Sequence, residues 1–172
     1  MCGRGALLHS REEIRAICGA SRWEEASPAS STRQVETPRY NLSPQSSAPV
    51  LIEQSPHELV LYSMRWGLSS SLEHALAVAP INARAETLES KAMFRRLIQK
   101  NRCICLFDGF FEWKFDEKSQ SKIGYFVQTE EEEMLFLAGL YDTHYEGDKD
   151  SEFYSFTIIT TRYIGFRGVV EI

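Results

Sequence analysis

Residues 102–161 read RCICLFDGFFEWKFDEKSQSKIGYFVQTEEEEMLFLAGLYDTHYEGDKDSEFYSFTIITT, and this stretch decides the fold. Short apolar and aromatic runs follow one another, most of them parted by polar turns: Arg102–Phe107, Phe110–Phe115, Gly124–Thr129, Met134–Tyr141 and Phe153–Thr161. Runs of this length and composition are strand signals. Upstream, Val50–Glu53 and Leu59–Trp66 form a hairpin closed by Gln54-Ser-Pro-His57. Helical spacing appears twice. Ser10-Arg-Glu-Glu13 is a capping box, in which the serine hydroxyl accepts from a helix amide and the glutamate reaches back. Ile14, Ile17 and Cys18 follow at helical spacing, which predicts a helix from about Ser10 to Gly19. Met93, Phe94, Leu97 and Ile98 give a second helix its apolar stripe, with Arg95, Arg96 and Lys100 directed elsewhere. Many strands and two short helices imply an α+β fold, mainly antiparallel and barrel-like. Ser21–Ala48, rich in Ser and Pro, is expected to be a long loop, and Gly67–Glu86 another irregular segment.

A length of 172 residues suits one domain, and 43% hydrophobic with 25% charged residues is ordinary for a globular chain. The balance is acidic, 24 Asp and Glu against 19 Lys and Arg. Avid duplex binders usually carry a basic excess, so a nucleic-acid role here must rest on a local basic site. The acidic residues are themselves local: Glu130 to Glu133 form one run, Asp148, Asp150 and Glu152 another, and both read as solvated turns. No apolar stretch has the length of a signal peptide or of a membrane span, so no membrane partner is expected. Cys2, Cys18, Cys103 and Cys105 are too few and too irregular for a disulfide framework or a zinc site, so neither metal nor cofactor is expected. Cys103 and Cys105, on one face of a strand, read as reduced core residues in an intracellular protein.

Four places can carry chemistry. Removal of Met1 would leave Cys2 with a free α-amine and a thiol on one residue. That amine titrates near pH 7.7–8.0 in reference peptides, so much of it is a neutral nucleophile at neutral pH. An aldehyde would form an imine with it, and the thiol could close a thiazolidine ring, which an internal cysteine cannot do. A small second residue also occurs by chance. Glu112 sits in Asp-Gly-Phe-Phe-Glu-Trp; burial beside aromatics would raise its carboxyl into the range of an acid/base, or it could simply face solvent between buried aromatics. In Ile81-Asn-Ala-Arg-Ala-Glu-Thr87, Asn82 can donate to an oxyanion or sugar oxygen and Arg84 can hold a phosphate, while Glu86 could pair with Arg84 as scaffolding. Pro38-Arg-Tyr-Asn-Leu-Ser-Pro44 and Met64-Arg-Trp-Gly-Leu68 put aromatics beside arginines, which suits base stacking. Trp66, at a strand end, reads better as core.

In order and spacing, Met1-Cys-Gly-Arg4, Tyr40-Asn-x-x-Pro44, Arg65-Trp-Gly-Leu68, Asn82-Ala-Arg-x-Glu-Thr87, Asp108-Gly-Phe-Phe-Glu-Trp113, Ala138-Gly-Leu140 and Phe156-Thr-Ile-Ile-Thr160 resemble the SOS response-associated peptidase (SRAP) family. Tyr40–Val50 looks especially like its animal members. The resemblance covers Cys2 to Thr161. It implies an abasic-site sensor on single-stranded DNA, with a thiazolidine crosslink through Cys2 that protects damaged DNA during replication, and autoproteolytic removal of Met1. By the same resemblance Cys2 is the nucleophile, Asn82 orients the N-terminal residue and the sugar, and Glu112 is the acid/base. Arg4 and Arg84 resemble phosphate contacts, Pro44 lines the site and Thr160 matches a DNA-contacting position. β-Elimination next to the imine would add abasic lyase activity. Nuclear location and replication-fork partners are implied in the same way, and a monomer is expected.

Two features depart from the family pattern. The family continues past its last strand into Ile-His-x-Arg-Met-Pro, whose histidine is a second acid/base. Here Thr161 is followed by Arg-Tyr-Ile-Gly-Phe-Arg-Gly-Val-Val-Glu-Ile, and none of His9, His57, His74 or His144 lies in the matching context. A domain over residues 2–161 that lacks its C-terminal elements, with a divergent tail at 162–172, is therefore expected. After Trp66-Gly-Leu68 the family has Pro and a further Trp, and this chain has Ser69-Ser-Ser-Leu-Glu-His74. The first departure sets up the alternative reading, a catalytically impaired variant that binds DNA or a partner. A thiol peptidase acting on other proteins is a third, and it needs a Cys/His pair.

Overall fold

The first helix begins as its sequence requires. Ser10 caps it: its hydroxyl accepts from the Glu13 amide at 3.3 Å, and the Glu13 carboxylate accepts from the Ser10 amide at 2.7 Å. Helix α1 (Arg11–Cys18) buries Ile14 and Cys18 and ends on Gly19 in the left-handed conformation. The computed structural model describes residues 3–25, 35, 37–69, 79–131, 133–145, 152–162 and 169–171. The strands are β1 (Arg4–Leu7), β2 (Arg22–Glu25), β3 (Arg39–Leu42), β4 (Ser47–Ser55), β5 (Glu58–Trp66), β6 (Asn82–Arg84), β7 (Arg102–Phe107), β8 (Gly109–Asp116), β9 (Ser121–Val127), β10 (Leu135–Tyr145), β11 (Glu152–Thr160) and β12 (Val169–Glu171), with α2 (Ala92–Ile98) before β7.

Two sheets result. In the larger, β5, β4, β7, β10 and β11 pair antiparallel in that order, and β11 returns to β5 through a parallel pairing, Ser155↔Arg65 and Phe156↔Trp66. These five strands therefore close into a barrel, with β2 added to β5 and β6 to β11, both parallel. Side chains of one face, Ala48, Val50, Val60, Met64, Trp66, Cys105 and Phe156, are fully buried and fill its inside. Trp66 lies 5.6 Å from Phe107 and 6.5 Å from Phe156, while Tyr62, Tyr154 and Tyr141 stack further along. On the outside, α2 buries Phe94 and Leu97 against Leu68, Ala83 and Leu140. Its Arg96 forms an ion pair with the buried Asp142 of β10. The smaller sheet runs β12-β9-β8-β1-β3 and is antiparallel throughout.

The α+β, barrel-like, mainly antiparallel expectation holds, as do the two helices and the hairpin, which turns at Pro56-His57. Two corrections apply. Ser21–Ala48 is not one loop. It contains β2, β3 and the start of β4, because β2 borrows its ladder from β5 and β3 from β1. Within Gly67–Glu86, residues 82–84 form β6 against β11. Residues 169–171, in the stretch read as a divergent tail, pair with β9. Cys103 and Cys105 are buried in the core, as read, and burial pushes the Cys18 thiol up from its ordinary value.

Candidate functional site

The proposed site residues fall on two sheets. On the smaller, Arg4 begins β1 opposite Phe111 of β8, followed by Gly5↔Phe110 and Ala6↔Gly109. Because the pair is antiparallel, Glu112 lies just beyond Arg4, at the end from which the N-terminus runs out. Cys2 itself lies outside the described residues, which begin at Gly3. Glu112 is half-buried opposite Tyr125. Its sequence neighbours Phe111 and Trp113 point to the other face, since side chains alternate along a strand. There Phe111 packs on Phe126 at 4.9 Å and Trp113 stays 49% exposed. Phe110, which shares the face of Glu112, packs against the main core. The carboxylate is thus not sandwiched by its sequence neighbours, which corrects the reading from sequence. Arg4 donates to Asn41 Oδ1 of β3 at 3.3 Å, and Pro44 follows β3, half-buried.

On the barrel, Asn82 opens β6 opposite Ile158, and Arg84 ends it opposite Thr160. Asn82 and Thr160 are half-buried and Arg84 is exposed. Glu86 does not pair with Arg84. It accepts from the Arg162 amide at 3.0 Å and the Thr161 hydroxyl at 3.4 Å, fastening the chain after Thr160 to the turn after β6. Its own amide and that of Arg162 hold its carboxyl below the ordinary range.

A line of hydrogen bonds joins the two groups. After Pro44, the Gln45 amide donates to the Trp66 carbonyl at 2.8 Å, and the Trp66 amide donates to Ser46 at 2.9 Å. The Trp66 indole then donates to the carbonyl of Ile81 at 3.1 Å, one residue before Asn82. The corner is tight: Gln45 has φ 70° and Gly67 φ 128°, and a Cβ on Gly67 would come within 2.6 Å of the Gln45 side-chain Nε2. Arg65 Nε donates to Gln45 Oε1 at 2.6 Å. Trp66 is core, as expected, whereas Tyr40 is 69% exposed.

The sequence passed over one feature. Asp108, between β7 and β8, is 5% exposed and meets His9 Nδ1. His9 follows β1 at the end opposite Arg4, roughly 15 Å away along an extended chain, so it is not placed beside the N-terminus as a Cys/His peptidase would require. A His close ahead of a capping box with an Asp after a strand is the only local signal of this pair. Among the described residues no cluster of His, Cys, Asp and Glu could hold a metal, and no helix is long and apolar enough to cross a membrane.

The structure thus lays a short N-terminal strand beside a carboxylate-bearing strand and puts an Asn-Ala-Arg strand on the neighbouring barrel. The chain belongs to the SRAP family: the model of the SOS response associated peptidase matches residues 1–165. It is 30% identical to the abasic site processing protein HMCES of Xenopus tropicalis, over 93% of this chain and 57% of that protein. It is 31% identical to the abasic site processing protein YedK of Escherichia coli strain K12, over 100% of this chain and 72% of that protein. Among solved structures it superposes on a protein from Bacteroides thetaiotaomicron with a TM-score of 0.75 at 25% identity, covering 93% of this chain and 68% of that one. A phage-related protein from Bordetella bronchiseptica gives 0.66 at 25% identity, over 99% and 77%. The chain thus spans little more than half the length of its Xenopus relative.

Proposed function

We propose that this protein recognises abasic sites in single-stranded DNA and joins them covalently through Cys2, once Met1 is gone. The observation that carries the reading is the β1–β8 pairing, whose register Arg4↔Phe111 leaves Glu112 at the N-terminal end of β1. The relatives' names, abasic site processing protein, support the abasic site as the substrate. In this reading the ring-opened sugar offers an aldehyde. The α-amine adds to it, Glu112 gives a proton to the departing hydroxyl, and water leaves an imine. The thiolate then adds to the imine carbon while the nitrogen takes a proton, which closes the thiazolidine. Asn82 orients the N-terminal residue and the sugar. Arg4 and Arg84 contact phosphates, Thr160 contacts the DNA, and Pro44 lines the site. Removal of a proton next to the imine would give β-elimination, so abasic lyase activity belongs to the same proposal. No bond in the sequence is oxidised or reduced, and no cofactor is called for.

The test is a denaturing gel of the purified chain with single-stranded DNA carrying one abasic site, beside Cys2→Ala and undamaged DNA. The expected result is a heat-stable shifted band that needs both Cys2 and the abasic site. A band that persists in Cys2→Ala refutes the nucleophile. A folded wild-type chain that retains DNA without any band refutes the covalent reading in favour of a binding module.

A further inference from the structure

Asp108 is 5% exposed, and the reaction above makes no use of its carboxylate. Both of its oxygens serve one segment. Oδ2 accepts from the amides of Leu8 and His9, the second at 3.3 Å, and Oδ1 meets His9 Nδ1. The Asp108 amide donates to the Ala6 carbonyl at 2.9 Å. All four of these bonds end on β1 or on the two residues after it. A buried carboxylate persists only where donors offset its desolvation, and here the donors come from a segment 99 and 100 positions away in sequence.

β1 needs such a fastening. It has four residues, its paired register with β8 spans three, and its pairing with β3 is irregular between Gly5 and Leu7. So short a ladder specifies register weakly, and a slip by one residue turns every side chain to the other face. On the far side β8 is itself fixed, because the Phe126 ring of β9 occupies the space a Cβ on Gly109 would take. Gly109 adjoins Asp108 and pairs with Ala6. The clamp therefore sits where it can set the register of the whole strand.

We infer that Asp108, with His9, is a positioning residue: it locks β1 at its C-terminal end and so decides which N-terminal residue comes level with Glu112 at the other. The inference rests on the function proposed above. Asp108 touches no reacting atom, since about 13 Å of extended chain separates Leu8 from Arg4.

The test uses the full chain as wild type, Asp108→Asn, Asp108→Ala and His9→Ala. Thermal midpoints, single-turnover crosslinking to an abasic oligonucleotide and hydrogen exchange of the amides of residues 5–7 are measured for each. The expected result for folded Asp108→Ala is a maximal crosslinking rate roughly 10- to 100-fold lower, as small misplacements of reacting groups produce. The DNA concentration at half-saturation stays within about twofold, and the β1 amides exchange faster while those of β9 do not. Asp108→Asn keeps one acceptor for the two amides and falls in between, and His9→Ala loses the least. Should Asp108→Ala fail to fold, Asp108→Asn and His9→Ala decide. A wild-type rate in folded variants overturns the inference, and so does unchanged β1 exchange. A rate that falls only in step with DNA affinity reduces Asp108 to a stabiliser of the corner. A wild-type chain without any crosslink removes the proposed function and the reactive role of the clamp together, and unchanged exchange in the variants then removes the clamp as well.

Discussion

Replacing Trp66 with Phe tests whether the tie between β5 and the segment leading into β6 has the energetic weight its geometry implies. Trp66 is 0% exposed, and its indole donates to Ile81 at 3.1 Å. The Ile81 carbonyl also accepts from the Ile158 amide at 3.1 Å, so the variant does not orphan it. The lost bond is then an ordinary one, about 1 kcal/mol. The smaller ring forfeits about 1 kcal/mol of transfer free energy. It also leaves a cavity of roughly 40 Å3, which costs about 1 kcal/mol more because Phe107 and Phe156 are themselves fully buried and collapse poorly. A loss of about 2–3 kcal/mol follows, or roughly 5–10 °C in midpoint for a chain of this size. Urea titration and a thermal scan measure it. Trp113→Phe, at a side chain 49% exposed, is the control and should stay within about 0.5 kcal/mol. If Trp66→Phe loses less than about 1 kcal/mol, or no more than the control, Trp66 is not the tie described.

Arg96→Met removes the partner of the buried Asp142 and should cost about 2–3 kcal/mol in urea, discounted because Arg96 is one-third exposed. Arg96→Met with Asp142→Leu should recover most of that loss, and a double variant as weak as the single one would contradict it. Donation from the Ser10 amide and hydroxyl lowers the Glu13 carboxyl below its ordinary 4.5, so its contribution is complete above that value and disappears as pH falls through the lower folded one. Glu13→Gln should therefore flatten the acid limb of stability against pH and leave its slope above about pH 6 unchanged, as followed by urea midpoints. Glu112→Gln should slow crosslinking by about 100-fold or more with DNA retention intact, measured by single turnover; an unchanged rate would remove Glu112 from the chemistry.

What the sequence made legible was local. The capping box at Ser10 and Glu13, the hairpin and the run from Arg102 to Phe107 each carry their signal in a few adjacent residues, and each appears where expected. The missed strands lack such a signal. β2 reads Arg-Trp-Glu-Glu, and its residues are tied by Arg22 to Glu24, Glu58 and Gln54 and by Trp23 to Ser63. β6 has three residues and exists because β11 lies beside it. Barrel closure is equally non-local, a parallel pairing of Arg65 and Trp66 with Ser155 and Phe156. Among the site residues, Asn82, Arg84 and Thr160 are brought onto neighbouring strands, as are Arg4 and the strand bearing Glu112. Adjacency in sequence misled at Glu112, where strand alternation sends Phe111 and Trp113 to the opposite face, and at Glu86, which accepts from Thr161 and Arg162 instead of pairing with Arg84.

The proposed site therefore draws on two seams rather than on either core. Asn82 and Arg84 belong to the barrel, while Arg4, Glu112 and the N-terminal strand belong to the smaller sheet. One seam runs from Pro44 through Gln45 and Trp66 to Ile81, and the other is Asp108 with Ala6, Leu8 and His9. Each seam consists of a few hydrogen bonds at a corner, and each adjoins a motif residue, Pro44 in one case and the Asp108-Gly pair in the other. A perturbation inside the barrel is resisted by close packing and shows as lost stability. A perturbation at a seam can shift one sheet against the other while both stay folded. Rate and stability should consequently part company at Gln45, Arg65, His9 and Asp108, and move together at Val50, Met64 and Phe156.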